Sequence, residues 1–151
     1  MRKIVDDIWD KKIIPFISSW YLIFARISLF IIYFYFGLIK IIGNSSAEPL
    51  VYALERQTIP FIPFNTFYLS FSLFEMLIGV LFLFPRATRL VFILFTIHIT
   101  TTMMPLFILP AYSWQNAFTP TIEGQYMIKN LVLIALVCSI LVNTKTKKRR
   151  G

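Results

Sequence analysis

Charge is scarce in this sequence: Asp, Glu, Lys and Arg together make up 15% of its 151 residues. A soluble domain of that length needs a larger charged surface. Cysteine is nearly absent, and the single Cys138 has no partner for an intrachain disulfide or a CxxC pair. Autonomous thiol–disulfide chemistry is therefore not expected, and the redox compartment is left unmarked. Histidine occurs once, at His98. No HExxH, CxxC, GxSxG or glycine-rich phosphate loop appears, which removes support for zinc hydrolase, nucleophile-elbow and P-loop chemistry, and no metal site is expected.

What is present is apolar surface. Hydrophobic residues make up 58% of the chain and aromatic residues 17%, sixteen of them Phe, and the mean hydropathy is +0.73. The apolar residues fall in blocks of about 20, the length a helix needs to cross a hydrocarbon core of ~30 Å. The sequence therefore predicts an all-α membrane protein, a four-transmembrane-helix bundle in a single domain. The net charge of +8 sits at the termini and in one short turn beside these blocks, a placement that marks a membrane side rather than a nucleic-acid surface.

Residues 1–19 mix Arg2, Lys3, Asp6, Asp7, Asp10, Lys11 and Lys12 with Ile4, Ile8, Trp9 and Ile13 at helical spacing. The segment reads as interfacial or as a solvated tail, interrupted by Pro15. The transmembrane domain covers 20–143, with spans at about 20–42, 65–84, 87–109 and 120–143. The first block is too long for a cleavable signal and no A-x-A-like site follows it, so it is expected to remain as an anchor. Ser46 is a candidate cap for a short helix through Glu48 to Gln57. Pro105 should kink or end the third span. Thr119 and Pro120 read as N-cap and first residue of the fourth, with Glu123 in its first turn. Residues 144–151 form a basic tail. Basic residues concentrate at the N-terminus, at Arg86 and Arg89, and in that tail, whereas the two alternate loops hold only Arg56. Both termini are therefore expected in the cytoplasm.

Each span carries groups that are costly in hydrocarbon: Arg26 and Lys40, then Glu75, then His98 with Thr100, Thr101 and Thr102, then Gln125, Lys129 and Asn130. Such groups face a bundle interior and pair with one another, or reach for an interface. Helical spacing sets Arg26, Tyr33, Gly37 and Lys40 on one stripe. Tyr68, Ser72, Glu75, Gly79 and Phe82 form a second, Phe95, His98, Thr102 and Pro105 a third, and Gln125, Lys129, Leu133 and Leu136 a fourth. Gly37 and Gly79 would let backbones approach beside the charges. Glu75 is expected to pair with Lys129, with His98 and Tyr33 below them. The threonines are expected to bond their own helix.

Arg26-x10-Gly37-x2-Lys40, Glu75-x3-Gly79 and Arg86-x2-Arg89, with the stretch TIEGQYMIKNLVLI from Thr121 to Ile134, resemble the DoxX-like bacterial membrane proteins. The Thr121–Ile134 stretch is similar to the branch linked to resistance to reactive chlorine species. The likeness runs from about Tyr21 to Val142. It implies a four-helix protein of the bacterial inner membrane, with relatives that serve as subunits of thiosulfate:quinone oxidoreductase or in thiol and oxidative-stress systems. Fold transfers across such a family more readily than chemistry. Three functions from different classes follow. The first is a non-autonomous membrane subunit that uses quinone as cofactor and takes electrons from a soluble redox or sulfur-transfer partner. The second is a proton-coupled transporter or exporter acting as a homodimer. The third is a scaffold that recruits a soluble enzyme through Lys145 to Arg150.

Overall fold

The computed structural model describes residues 8–149, with side chains as far as Thr144. Arg2, Lys3, Ile4, Asp6 and Asp7, on which the interfacial reading of the N-terminus rests, lie outside the described residues, as do the side chains of Lys145, Lys147, Lys148, Arg149 and Arg150. Among the described residues four helices are long and apolar enough to cross a membrane: Trp9–Ile41, Phe64–Phe82, Pro85–Ile108 and Ile122–Thr144.

A π-helical turn, Trp9–Ile13, passes directly into α1 (Ile14–Ile41). Pro15 does not interrupt it. The proline directly follows the π-helical turn, where the Ile14 N–H reaches back to the Trp9 carbonyl, and the wider π turn absorbs the hydrogen bond that a proline cannot make. Ser18 and Ser19 donate their hydroxyls to the Pro15 carbonyl at 3.0 and 2.8 Å. At the far end Gly43 adopts φ +76°. The Gly43 N–H then reaches the Lys40 carbonyl and the Asn44 N–H the Ile39 carbonyl, a Schellman stop that needs a residue free of Cβ strain.

The short helix α2 (Glu48–Thr58) follows. Its N-cap is Ala47 rather than Ser46, and the Ser45 hydroxyl accepts the Ala47 N–H at 3.3 Å. Next come α3 (Phe64–Phe82), a 3₁₀ turn at Pro85–Ala87 and α4 (Thr88–Met103). Pro105 and Pro110 then break the chain into α5 (Pro105–Ile108) and α6 (Pro110–Ser113). A two-stranded hairpin, β1 (Trp114–Asn116) and β2 (Thr119–Pro120), sets Trp114 opposite Pro120. Thr119 and Pro120 therefore do not start the last helix, α7 (Ile122–Arg149). Thr121 caps it instead, accepting the Gly124 N–H at 3.0 Å. The hairpin prevails because it is tied down: Ser113 donates to the Pro105 carbonyl, Trp114 Nε1 to Leu106 and Thr121 to Tyr112, at 2.8, 3.0 and 2.7 Å.

The helices pack around Leu29, Ile78, Phe82, Val91, Phe95 and Ile140, each at most 2% exposed. The closest pair is α1 with α3. A Cβ on Gly37 would stand 2.6 Å from Met76 Cγ and 2.8 Å from the Ser72 carbonyl oxygen, and one on Gly79 would stand 2.8 Å from the Phe34 nitrogen. Within a bilayer the hydrophobic effect does not drive helices together, so close backbone packing of this kind carries much of their association.

Gly79→Ala should therefore lose about 1–3 kcal/mol from overpacking, enough to outweigh the gain of up to ~1 kcal/mol in helix propensity. Thermal unfolding in detergent checks this against Leu77→Ala, whose side chain faces outward. Gly79→Ala unfolding at or above the wild-type temperature would contradict the packing.

Candidate functional site

Side chains on a helix lean towards its N-terminus. Lys40 stands in the last turn of α1, so its ammonium leans back into the bundle instead of snorkelling outward. It donates to Glu75 Oε2 on α3 in an ion pair whose side chains are 7% and 9% exposed. His98 on α4 presents Nε2 at 3.6 Å from the other carboxylate oxygen, Glu75 Oε1. That distance is beyond a hydrogen bond, and neither ring nitrogen of His98 has a hydrogen-bond partner. The imidazole is 3% exposed. Phe71 stacks on it at 4.9 Å and 15°, and Tyr33 meets it edge-on at 5.2 Å. Lys40 Nζ also lies 5.3 Å from the Phe71 ring centre, within range of a cation–π contact.

Helical spacing marks out three of these stripes. Arg26, Tyr33, Gly37 and Lys40 are buried on α1, Tyr68, Ser72, Glu75, Gly79 and Phe82 on α3, and Phe95 and His98 on α4, while Thr102 is only half-buried and Pro105 is buried beyond α4, in α5. Of the stripe expected on the fourth span, Leu133 and Leu136 pack against the core, but its polar half is corrected. Gln125 and Lys129 lie on the exposed side of α7, Asn130 is half-buried, and Lys129 Nζ sits 5.2 Å from the Tyr126 ring centre. Lys129 is thus not the partner of Glu75. The reason is local. Gly124 is pressed against α6, where a Cβ would stand 2.1 Å from the Ser113 carbonyl oxygen. That contact turns Gly124, Met127, Val137 and Ile140 inward, and the next residue after Gly124 points about 100° away.

A second polar centre lies towards the other end of the bundle. Arg26 donates to the Phe82 carbonyl at 3.0 Å, to Thr88 Oγ1 at 2.7 Å and to Thr144 Oγ1 at 3.3 Å. Both threonines donate their own protons to carbonyls of their helical segments, Pro85 and Ile140, which leaves lone pairs for the guanidinium. Arg26 thereby ties the middle of α1 to the end of α3, the start of α4 and the last turns of α7. Thr100, Thr101 and Thr102 donate to carbonyls of their own helix. Among the described residues no group of three or more His, Cys, Asp or Glu side chains is placed to hold a metal ion.

A family model described as the DoxX-like family matches residues 30–138. The chain belongs to the DoxX-like family. It is an integral membrane protein, and the matched region contains Tyr33, Lys40, Glu75 and His98 but not Arg26 or Thr144. No curated protein and no solved structure matches the chain. The chemistry of this DoxX-like protein therefore has to be read from its own site. That site offers a carboxylate between an ammonium and an imidazole, in a wall of aromatic rings, with hydrogen-bonding capacity left over on the imidazole.

Sequence reasoning missed Phe71 and Phe74, which box the histidine. Their i+4 and i+1 relation to Phe67 and Leu73 gives no polar signal. Phe71 is, however, four residues before Glu75 on the same helix, which places it one turn away on the same face.

Lys40→Met should destabilise the protein by about 3–5 kcal/mol, because it strands the Glu75 carboxylate in the interior. The double variant Lys40→Met/Glu75→Gln should regain most of that loss, and Lys129→Met should stay within about 0.5 kcal/mol of wild type. Unfolding in detergent measures all three. A larger loss from Lys129→Met than from Lys40→Met would show that the pairing is wrong.

Proposed function

We propose that this DoxX-like protein is the membrane subunit of a quinone-linked redox or thiol-stress system, with Lys40, Glu75 and His98 as the headgroup site. One observation carries the reading: the unpartnered, buried His98 nitrogens stand beside a carboxylate inside an aromatic box. A buried imidazole without partners costs about 1–3 kcal/mol for each unsatisfied group, and such a cost persists where a ligand repays it. The residues fit a flat ring bearing carbonyl oxygens, because Phe71, Phe74 and Tyr33 supply ring faces and edges and His98 supplies an N–H donor. A bound quinone supplies two-electron, two-proton chemistry. His98 holds a proton at one nitrogen and presents it towards a carbonyl. Glu75 Oε1 receives or returns that proton, and the Lys40 ammonium favours the ionised carboxylate, which draws the proton back out of Glu75. The electrons come from a soluble redox or sulfur-transfer partner.

We place both termini in the cytoplasm of a bacterial inner membrane. Arg86 and Arg89 are exposed at the Arg26 end of the bundle, while Arg56 is the one basic residue in the loops of the opposite end, which is the charge bias of an inward-facing turn. The headgroup site then lies in the outer half of the bilayer. A proton-coupled transporter is the second reading, favoured by the position of the Glu75 carboxylate between the Lys40 ammonium and the His98 imidazole.

Mass spectrometry of small molecules that copurify in mild detergent separates the two. Wild type and Lys129→Met should carry quinone, while His98→Ala and Glu75→Gln should lose it. Absence of quinone from folded wild type, together with pH-dependent solute flux in reconstituted vesicles, would favour transport instead.

A further inference from the structure

The Lys40–Glu75–His98 cluster is closed off. Lys40, Glu75, His98 and Tyr33 are all buried, so a guest reaches them only after a side chain moves. Among the described residues three rings flank the imidazole: Tyr33, Phe71 and Phe74. Tyr33 is fixed in the interior, against Phe82 and Phe95 at 6.0 and 5.9 Å. Phe74 packs against the main core. Phe71 differs from both. It is half-buried on α3. Its other stacking partner is Phe67, also half-buried and one turn earlier, at 5.8 Å and 21°.

Phe71 also stands where a guest ring would have to stand. Its ring lies 15° from parallel with the imidazole at 4.9 Å, and the Lys40 ammonium is 5.3 Å from its centre. A flat ring that stacks on His98 beside that ammonium therefore competes with Phe71 for one place. An aromatic side chain on a helix has two favoured χ1 wells. A hop between them carries the ring off the imidazole and leaves the backbone where it is. Phe71 lies inside the apolar span Phe64–Phe82, about 10 Å of helical rise from the Phe64 end. Its open side therefore faces hydrocarbon rather than water.

We propose that Phe71 is a placeholder and gate, and that the site takes a flat-ringed ligand dissolved in the bilayer, entering sideways past α3. The guest's ring displaces Phe71 from His98, and Phe67 and Phe71 then line its path to the hydrocarbon. This rests on the headgroup reading of the site, and adds the route, the phase the ligand comes from and the residue that moves. A puckered ring could not take over the stacking that Phe71 gives up.

Carbethoxylation of His98 by diethyl pyrocarbonate, a small uncharged reagent, tests the gate in lipid nanodiscs. His98 is the one histidine in the chain, and peptide mass spectrometry reads its modification. The rate should rise about tenfold or more in Phe71→Ala and Phe71→Leu, since reactivity scales with the fraction of time the site stands open. Phe71→Tyr, which keeps the ring, and Leu73→Ala, whose side chain faces outward, should stay close to wild type. Iodoacetate, an anion that stays in water, should leave His98 unmodified in every variant. A short-chain benzoquinone should protect His98 in wild type, whereas cyclohexanedione, with its carbonyls on a puckered ring, should not.

The rate change needs no quinone, so the gate and the headgroup reading fail separately. Rates unchanged in both Phe71→Ala and Phe71→Leu overturn the gate even where the benzoquinone protects. Raised rates without protection support the gate and strike benzoquinone as its guest. Alkylation of His98 by iodoacetate in Phe71→Ala overturns the lateral route, and protection by cyclohexanedione overturns the flat ring. Failure of both Phe71→Ala and Phe71→Leu to fold also overturns the proposal, since the ring would then be serving the fold.

Discussion

A carboxylate inside a bilayer must be answered by a cation, and in this protein that demand organises two helices. Glu75 on α3 meets Lys40 on α1, and the meeting depends on how closely those helices lie. Gly37 is one turn before Lys40 and Gly79 one turn after Glu75, and each faces the backbone of the other helix. Any side chain at either glycine would push the helices apart and lengthen the ion pair. In a medium that screens little, that lengthening is costly, because the attraction must offset the desolvation of both charges. Glycine packing and charge pairing are therefore one device.

The two polar centres differ in how completely they are satisfied. Arg26 spends its donors on one carbonyl and two hydroxyls, each oriented by its own backbone bond. Such an arrangement fixes the middle of α1 against its neighbours with three of the guanidinium's five N–H donors. The Glu75 centre keeps capacity in reserve: two imidazole nitrogens, no closer than 3.6 Å to the carboxylate, held between aromatic rings. A fully satisfied buried network rigidifies a fold, whereas unused capacity marks a place for something else. This contrast supports the proposal that the Glu75–His98 pair takes a ligand while Arg26 serves the architecture.

Much of this was legible in the sequence because buried stripes on straight helices follow a simple period. The positions that converge on α1, α3 and α4 could be read by counting threes and fours. The fourth stripe could not, because the rotation of α7 is set by a contact distant in kind from any polar pattern, Gly124 against the Ser113 carbonyl. Rotating the helix by one residue exchanges Gly124 for Gln125 at the interface, and so exchanged the expected partner of Glu75. The start of α7 was misplaced for a related reason: Thr119 and Pro120 have the chemistry of a helix start, but the ties of Ser113, Trp114 and Thr121 hold them in a hairpin. Pro15 misled in the opposite direction, since the π-helical turn before it lets the helix run through the proline. Glu55 on α2 is 0% exposed, and it gave no warning, because an acid on a short amphipathic helix ordinarily faces water.

His98 is the one histidine in the chain, which makes it a spectroscopic probe that needs no further engineering. Nitrogen NMR of histidine-labelled protein in lipid nanodiscs, with and without a short-chain benzoquinone analogue, therefore addresses the headgroup site directly. A shift of an imidazole nitrogen on adding the analogue, present in wild type and lost in folded Glu75→Gln, is the expected result. Resonances that ignore the analogue, or that report imidazole nitrogens already hydrogen-bonded in the free protein, would contradict the assignment of His98 as the waiting half of a ligand site.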